Sequence, residues 1–337
     1  MTAPPPLSVL LPVRDAEGVV RNALDSLSRQ TFADFEVVLV DDGSTDGTGE
    51  VVQSMAKEDH RIRVFTREAM GIVPALEFAR AHARGRYLAR MDADDGAFSE
   101  RFQRQMELMT SDRRIVLCGT GIVYFPREYI RDGAVRYESW INGLTNHEGL
   151  VRDLFVECPI PHPTFFLRAD ILDLVGGYRD RGWPEDYDLV FRLWEGGGRF
   201  GKVPEPLLRW REGEDRLSRA RPAYSAEAFR RCKVHFLLRT HLRNGRGVVV
   251  WGAGPVGKAF ARELIAQGGT LLAFVDLDPR KVGQEVYGVQ VMLPAEALRI
   301  PGAYSVAAVG KMGGRGEIRE TLTGAGRVES RDFVAVA

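Results

Sequence analysis

The stretch VVLVDDGS at positions 37–44 decides the fold, because a short apolar run ends there in two acids and a turn. A second stretch of the same kind, YLARMDADD, occupies positions 87–95. Apolar runs of this length, bounded by turn residues, predict buried strands of an α/β sheet. Ligands bind beyond the carboxyl ends of strands in such sheets, so both acidic clusters are expected at a ligand site. Because crowded carboxylates repel one another unless a cation or a hydroxyl-rich ligand lies between them, we predict a metal-assisted site for a phosphorylated sugar.

The sequence around these stretches alternates between short apolar runs and helical patterns. A first strand is predicted over 7–13, and Val20, Leu24 and Leu27 then recur at the spacing of one helical face. Residues 124–146 show neither pattern and are predicted to be irregular. Strands that alternate with helices predict a mostly parallel, doubly wound α/β sheet.

Length and composition are those of a soluble globular protein. The 337 residues suffice for two domains, and 45% apolar and 27% charged residues are usual for this class. Basic and acidic residues balance at 46 each, so no nucleic acid partner is expected. The three cysteines match neither a disulfide framework nor a C-x-x-C metal pattern. With no signal peptide and no apolar run of about 20 residues, we expect a cytoplasmic protein without a transmembrane segment. Peripheral association with the inner face of the membrane stays open.

A second α/β domain is predicted from Gly245 onward, where a strand, a helix and another strand follow in turn. The predicted boundaries are 1–221 for the first domain, 222–244 for a helical linker and 245–337 for a smaller Rossmann-like domain.

The stretch GAGPVG at 252–257 follows the first strand of this second domain. Gly252, Gly254 and Gly257, with Asp276 at the end of the next strand, fit a dinucleotide site for NAD(P). The other interpretation uses the same fold for packing, regulation or homo-oligomer formation. Both interpretations stay open.

Six motifs in the first 220 or so residues resemble those of the inverting glycosyltransferases of family 2, which have the GT-A fold. The motifs are SVLLPV (8–13), VDDGS (40–44), DADD (92–95), HPT (162–164), GGY (176–178) and EDYDL (185–189). The chain departs from the family at Ala69-Met70-Gly71, where Asn often lies near the Gly, and at Arg14. The part beyond Gly245 resembles Rossmann-like domains appended to some sugar-modifying bacterial enzymes.

The resemblance implies a divalent cation, Mn²⁺ or Mg²⁺, bound through the second acidic cluster. Asp94 is then the metal ligand, Asp92 faces the donor ribose or sugar hydroxyls, and Asp95 supports them or caps a helix. The alternative is an acidic turn whose carboxylates merely cap the helix that follows.

The donor's nucleoside is expected to lie against the ends of the first two strands. Asp42 would contact its base or ribose, and Pro12, Val13 and Asp15 would flank the same pocket. Asp15 could equally be the N-cap of the following helix.

Inversion requires one base to deprotonate the acceptor hydroxyl, and the resemblance assigns that role to Asp186, with Glu185 as second choice. A helix N-terminus favours an ionised carboxylate, although acids also favour helix starts for structural reasons alone. His162 and Trp183 are candidates for acceptor binding, with structural roles as the alternative. Arg209 and Arg211 would either reach the diphosphate or belong to a solvated basic loop.

The leading hypothesis is therefore an inverting transfer from a nucleotide-sugar, most simply a UDP-sugar, to a hydroxyl acceptor. The expected acceptor is a glycan or lipid-linked sugar of a bacterial surface polysaccharide or exopolysaccharide. The alternatives are an NAD(P)-dependent sugar-modifying enzyme and a non-catalytic protein that binds nucleotide-sugar. A sugar nucleotidyltransferase is disfavoured, because PVRD at 12–15 is not a Gly-rich basic loop.

Overall fold

The computed structural model describes residues 4–213 and 221–337, which form two compact units. Within those ranges, the first unit contains the residues up to Leu150, Pro159–Arg181 and the residues from Glu185 to 213. The second unit contains Val151–Cys158, Gly182–Pro184 and the residues from Arg221 onward. The helix predicted as a linker therefore lies within the second unit, together with two short segments from the predicted first domain.

The described part of the first unit contains an eight-stranded mixed sheet. Its strands are β1 (Leu7–Val13), β2 (Phe35–Asp42), β3 (Ile62–Arg67), β4 (Tyr87–Arg90), β5 (Gly96–Ala97), β6 (Ile115–Phe125), β7 (Phe166–Arg168) and β8 (Arg199–Arg211). They lie in the order β3-β2-β1-β4-β7-β6-β8-β5. The first four strands of this order run parallel, and β7 is antiparallel to both of its neighbours. The predicted α/β class is thus confirmed, with a parallel half that carries both acidic clusters.

Helices pack against the sheets, and most of the longer ones bury several residues of one face. In α1, for example, Val20, Ala23, Leu24 and Leu27 are buried at helical spacing. None of the helices in the described ranges is long and apolar enough to cross a membrane. In chain order the α-helices are α1 (Val20–Ser28), α2 (Thr48–Glu58), α3 (Ile72–His82), α4 (Arg101–Ser111), α5 (Asp132–Gly143), α6 (His147–Arg152), α7 (Ala169–Leu174), α8 (Glu185–Glu195), α9 (Ala226–Arg239), α10 (Pro255–Ala266), α11 (Pro294–Ala297) and α12 (Gly314–Gly324).

The second unit has its own six-stranded sheet. Its strands are β9 (Val248–Trp251), β10 (Leu271–Val275), β11 (Glu285–Val286), β12 (Val289–Met292), β13 (Tyr304–Ala307) and β14 (Phe333–Ala335). The order is β11-β12-β10-β9-β13-β14, and every pairing is parallel except the β11–β12 hairpin. This sheet is the second α/β sheet that the sequence predicts.

Candidate active site

The carboxyl ends of three parallel strands meet at one edge of the first sheet. β1 lies between β2 and β4, and Val13 pairs with Asp41 across the β1–β2 ladder. Leu10 pairs with Arg90, the last residue of β4, so the chain after β4 continues at the same edge. Pro12 and Val13, the turn after β2 and the DADD stretch are therefore neighbours, as the parallel register requires.

The turn after β2 is held by its own acids. Asp41 Oδ1 accepts hydrogen bonds from the backbone N–H and the hydroxyl of Ser44, at 3.0 and 2.6 Å. Asp42 accepts from the backbone N–H of Met70 at 3.1 Å and from that of Gly71 at 2.7 Å. Asp42 thus fixes the loop after β3 through both oxygens, and its contact with a nucleoside stays a prediction.

Gly43 is required in this turn by backbone geometry. Its φ is +73°, and a Cβ at this position would lie 2.7 Å from the backbone nitrogen of Ala69. A side chain here would therefore be strained and would also displace the loop after β3.

Asp15 binds the same turn from the β1 side. Its Oδ1 accepts the backbone N–H of Thr45 at 2.7 Å, and its own N–H donates to Ser44 Oγ at 3.0 Å. The hydrogen bond from Thr45 lowers the pKa of Asp15. The alternative that Asp15 caps α1 is wrong, because Val19 is the N-cap residue and makes no side-chain cap bond.

Asp92, Asp94 and Asp95 form a cluster in which one carboxylate oxygen of each lies within 4.8 Å of the others. Asp95 is only 2% exposed, and its Oδ1 accepts the backbone N–H of Arg211 at 2.8 Å. Its Oδ2 is buried and has no hydrogen-bond partner among the described residues. Burial, followed by the charges of Asp92 and Asp94, raises the pKa of Asp95 well above its usual value. The cluster is therefore unfavourable unless something compensates its charge.

This cluster fits a divalent cation. Carboxylate oxygens are the ligands that Mg²⁺ and Mn²⁺ prefer. The Oδ2 of Asp95 accepts no hydrogen bond from the described residues, so it is available to a cation. The alternative, in which the acids of this cluster only cap α4, is wrong. The N-cap residue of α4 is Glu100, and it makes no side-chain hydrogen bond to the helix. The predicted ligand, Asp94, belongs to the cluster.

Two buried arginines that no sequence motif indicates lie next to the cluster. Arg90, 3% exposed, forms an ion pair with Asp92. Arg101 is fully buried and donates from Nη2 to the carbonyl of Arg90 at 2.7 Å and from Nε to Gln105 Oε1 at 3.1 Å. The available signal was a charged residue at the end of an otherwise apolar strand, which indicates a paired charge.

The predicted base residues open α8, where Glu185 and Asp186 lie in the first turn. Glu185 is buried, with its Oε1 3.7 Å from His162 Nδ1, and His162 Nε2 lies 3.1 Å from the Tyr178 hydroxyl. Burial, with Arg90 as a second cause, lowers the pKa of His162 well below its usual value. The imidazole is therefore neutral at pH 7, and its contact with Glu185 is not an ion pair.

Tyr178 connects the two halves of the predicted site electrostatically. Burial raises the pKa of its hydroxyl, Arg90 opposes that shift, and Glu185 and Asp186 add to it. Asp186 is half-buried, and its Oδ1 accepts the backbone N–H of Tyr187 at 2.7 Å. The carboxylates of α8 and the arginine beside the acidic cluster thus act on one buried hydroxyl.

Residues 8–175 match the model of glycosyl transferase family 2. The chain carries a family 2 glycosyltransferase domain. The O-antigen biosynthesis glycosyltransferase WbnJ of Escherichia coli is 26% identical over 209 residues, which are 61% of this chain and 79% of WbnJ. The amylovoran biosynthesis glycosyltransferase AmsE of Erwinia amylovora is 27% identical over 240 residues, covering 66% of this chain and 88% of AmsE.

The fold of this glycosyltransferase domain is also found among solved structures. S. aureus TarS 1-349 in complex with UDP-GlcNAc superposes with a TM-score of 0.52 and 17% sequence identity, over 69% of this chain and 66% of TarS 1-349. The chain thus spans slightly less than two thirds of that protein. At this identity the likeness concerns the fold alone, and it confirms the GT-A fold expected from the motifs.

The sequence links three more residues to this glycosyltransferase site, and their roles in substrate binding stay predictions. Trp183 belongs to the second unit, where its ring centroid lies 5.2 Å from that of His235. Arg209 and Arg211 lie in strand β8, so the predicted basic loop does not begin at Arg209. Residues 214–220, which belong to the predicted loop, lie outside the described residues.

The glycines of the GAGPVG stretch have packing reasons of their own. Gly252 has φ +119°, and a Cβ there would lie 2.7 Å from the carbonyl of Ala308. A Cβ on Gly257 would lie 1.8 Å from the carbonyl of Gly252, whereas one on Gly254 would meet nothing within 4 Å. Two of the three glycines are thus explained by the fold of the second unit alone.

Asp276 is also satisfied within the second unit. Its Oδ2 accepts the backbone N–H of Ala253 at 3.0 Å and the ammonium of Lys281 at 2.8 Å. A ribose hydroxyl would have to share or replace these bonds. Binding of NAD(P) stays a prediction, and the relatives described above give it no support.

Proposed function

We propose that the protein transfers a sugar, with inversion at the anomeric carbon, from a UDP-sugar to a hydroxyl of a polysaccharide precursor. The observation that carries this proposal is the cluster of Asp92, Asp94 and Asp95, with its buried unpartnered oxygen, inside a family 2 domain. The TarS complex with UDP-GlcNAc supports the donor class. The names of WbnJ and AmsE, which refer to O-antigen and amylovoran biosynthesis, support a polysaccharide acceptor.

A divalent cation on the cluster would neutralise charge that grows on the departing diphosphate. Asp94 and Asp95 would hold it, since Asp95 has the oxygen without a partner. Asp92 is already paired with Arg90, so it is oriented to accept hydrogen bonds from donor hydroxyls.

Asp186 would act as the base. In a single displacement, the acceptor hydroxyl loses its proton to a carboxylate while its oxygen attacks the anomeric carbon. The bond from that carbon to the diphosphate oxygen breaks at the same time. Glu185 is less suited, because it is 4% exposed and lies beside the neutral His162, whereas Asp186 is only half-buried.

The test separates donor binding from transfer. The full chain is incubated with a panel of UDP-sugars and Mn²⁺, and UDP release is measured with and without polysaccharide acceptors. Asp186→Asn should lose transfer while UDP affinity stays within about twofold of wild type. Asp94→Asn should lose both transfer and the Mn²⁺-dependent part of UDP binding.

Asp34→Asn is the matched control, since Asp34 is exposed and outside the cluster. Substantial turnover in Asp186→Asn would exclude Asp186 as the base. Metal-independent UDP binding by the wild type, unchanged in Asp94→Asn, would exclude the cation site.

A further inference from the structure

The segment Gly182–Pro184 leads directly into the helix that carries the proposed base. This segment belongs to the second unit. The peptide bond after Pro184 joins it to Glu185, the first residue of α8, and Asp186 follows in the first turn of that helix. The contacts that fix Gly182–Pro184 therefore also bear on the position of the Asp186 carboxylate.

Helix α9 holds this segment through two side chains on one helical face. Arg231 and His235 are four residues apart, so they lie on the same side of α9. Arg231 Nη2 donates a hydrogen bond to the carbonyl of Gly182 at 2.5 Å. The ring of Trp183 lies against that of His235, with the ring centroids 5.2 Å apart and an angle of 39° between the ring planes. Two consecutive residues just before α8 are thus bound to one helix.

The backbone of the segment is suited to keep this position. Gly182 has a φ of +72°, and a Cβ there would lie 3.1 Å from Arg231 Nη2, so glycine allows both the turn and the close approach. The ring of Pro184 fixes its own φ and disfavours the helical region for Trp183 before it. Only Pro184 and Glu185 separate Trp183 from Asp186 in the chain, so a shift of the bound residues moves the carboxylate as well.

Arg231 is in turn fixed by the next helix of the second unit. Its carbonyl accepts a hydrogen bond from Gln267 Nε2 at 3.1 Å, and the same side-chain amide donates to Glu263 Oε1 at 2.8 Å. Glu263 belongs to α10, and Gln267 directly follows that helix. The position of Arg231 is therefore set by the α/β fold of the second unit.

We propose that the second unit positions the base of the reaction, with Arg231 and Trp183 as positioning residues that act through the start of α8. The inference rests on the proposed function for the identity of that base, Asp186. A single displacement requires the carboxylate to lie within hydrogen-bond reach of the acceptor hydroxyl, and a misplacement of about 1 Å can lower the rate roughly a hundredfold. The second α/β unit thus has a role in transfer that requires no ligand of its own.

The test compares Arg231→Ala with Arg231→Lys, which keeps a donor for the Gly182 carbonyl. Trp183→Ala is an independent second variant, and Arg243→Ala is the matched control, since Arg243 is exposed and follows α9. Titration of the full chain with UDP and Mn²⁺ gives the affinity and the number of UDP sites per chain. UDP release from the UDP-sugar that the wild type uses fastest gives kcat and KM.

Hydrogen–deuterium exchange adds a readout that does not depend on activity. It follows the amides of Leu189 and Val190, which in an α-helix donate to the carbonyls of Glu185 and Asp186. Their exchange reports how firmly the first turn of α8 is held.

Both alanine variants should lower kcat about tenfold or more, while the affinity for UDP and the number of UDP sites stay those of the wild type. Exchange at Leu189 and Val190 should become roughly three- to tenfold faster, because a hydrogen bond or a ring contact that holds the segment is lost. Arg231→Lys should restore part of both properties, and Arg243→Ala should change neither. A purely structural role would instead lower the number of UDP sites in proportion to kcat, and that result overturns the inference.

The inference is also overturned if kcat or the exchange rate stays at the wild-type value in both alanine variants while Asp186→Asn is inactive. That result leaves the proposed function intact. A wild type that releases no UDP from any UDP-sugar contradicts the proposed function instead, and the exchange rates then decide alone whether α9 holds the segment that leads into α8.

Discussion

Replacing Asp95 by asparagine should stabilise the metal-free protein while removing its response to metal. The carboxylate is 2% exposed, and its Oδ1 accepts the backbone N–H of Arg211. The amide oxygen of asparagine can keep that bond. Its NH₂ group takes the position of the unpartnered Oδ2 and presents donors to the neighbouring carboxylates of Asp92 and Asp94.

The magnitude follows from the oxygen that lacks a partner. A buried, unsatisfied polar atom costs about 1–3 kcal/mol, and the repulsion from two neighbouring acids adds to this cost. Each kcal/mol regained corresponds to roughly 2–4 °C in melting temperature for a unit of this size. We therefore expect Asp95→Asn to raise the melting temperature of the metal-free first unit by a few degrees at pH 8.

The stabilisation depends on pH with a definite sign. The folded-state pKa of Asp95 is raised, so the folded protein binds more protons than the unfolded chain between the unfolded pKa of about 3.9 and the raised value. Stability from protonated Asp95 is fully present below that window and is lost as the pH rises through the raised pKa. Asparagine cannot titrate, so the advantage of Asp95→Asn should grow from pH 5 to pH 8.

The assay is thermal melting in EDTA at both pH values, with Asp34→Asn as the exposed control. A second series adds Mn²⁺ and UDP, which should raise the melting temperature of the wild type and of the control only. The reasoning is refuted if Asp95→Asn melts below the wild type at pH 8 without metal. It is equally refuted if the variant keeps the full stabilisation by Mn²⁺ and UDP.

Three further outcomes are expected elsewhere in the chain. Burial lowers the pKa of Lys202 to about 7, so wild-type stability should rise between pH 7 and about 10, and Lys202→Met should flatten that rise in denaturant titrations. Gly43→Ala should destabilise the protein by about 1–3 kcal/mol in urea unfolding, whereas Gly143→Ala, with nothing within 4 Å of the added Cβ, should not. All three cysteines are buried and burial raises the pKa of Cys118 to about 12, so a thiol reagent at pH 8 should label them only after unfolding.

The sequence predicts best where burial is uniform along a segment. All seven residues of β1 are buried, and the predicted strand has the observed bounds Leu7–Val13. The prediction of irregular structure over 124–146 is wrong, because α5 lies there. Ile141 is the only fully buried residue of α5, but Ala134, Tyr137 and Trp140 are partly buried against the same core at helical spacing, a signal that could have indicated the helix.

Domain boundaries depend on contacts that local patterns do not contain. The segment Val151–Cys158 belongs to the second unit, where the Lys233 ammonium donates to the carbonyls of Val156 at 2.6 Å and Val336 at 3.0 Å. These partners are separated from Lys233 by 77 and 103 residues. No periodicity or turn signal reports such a pairing, whereas the position of acids at strand ends follows directly from parallel register.

The sequence could not predict which acids of the cluster have a partner that compensates their charge. The sequence gives no reason to distinguish the three acids, yet Asp92 has a buried guanidinium partner in Arg90, while the Oδ2 of Asp95 has no hydrogen-bond partner in the part of the chain that the structure describes. The ion pair with Arg90 orients Asp92 without any ligand. Burial, followed by the charges of Asp92 and Asp94, raises the pKa of Asp95, so a cation that binds there must displace a proton or find the carboxylate already ionised. Metal affinity should therefore rise with pH, and the ionisation of Asp95 should set that dependence.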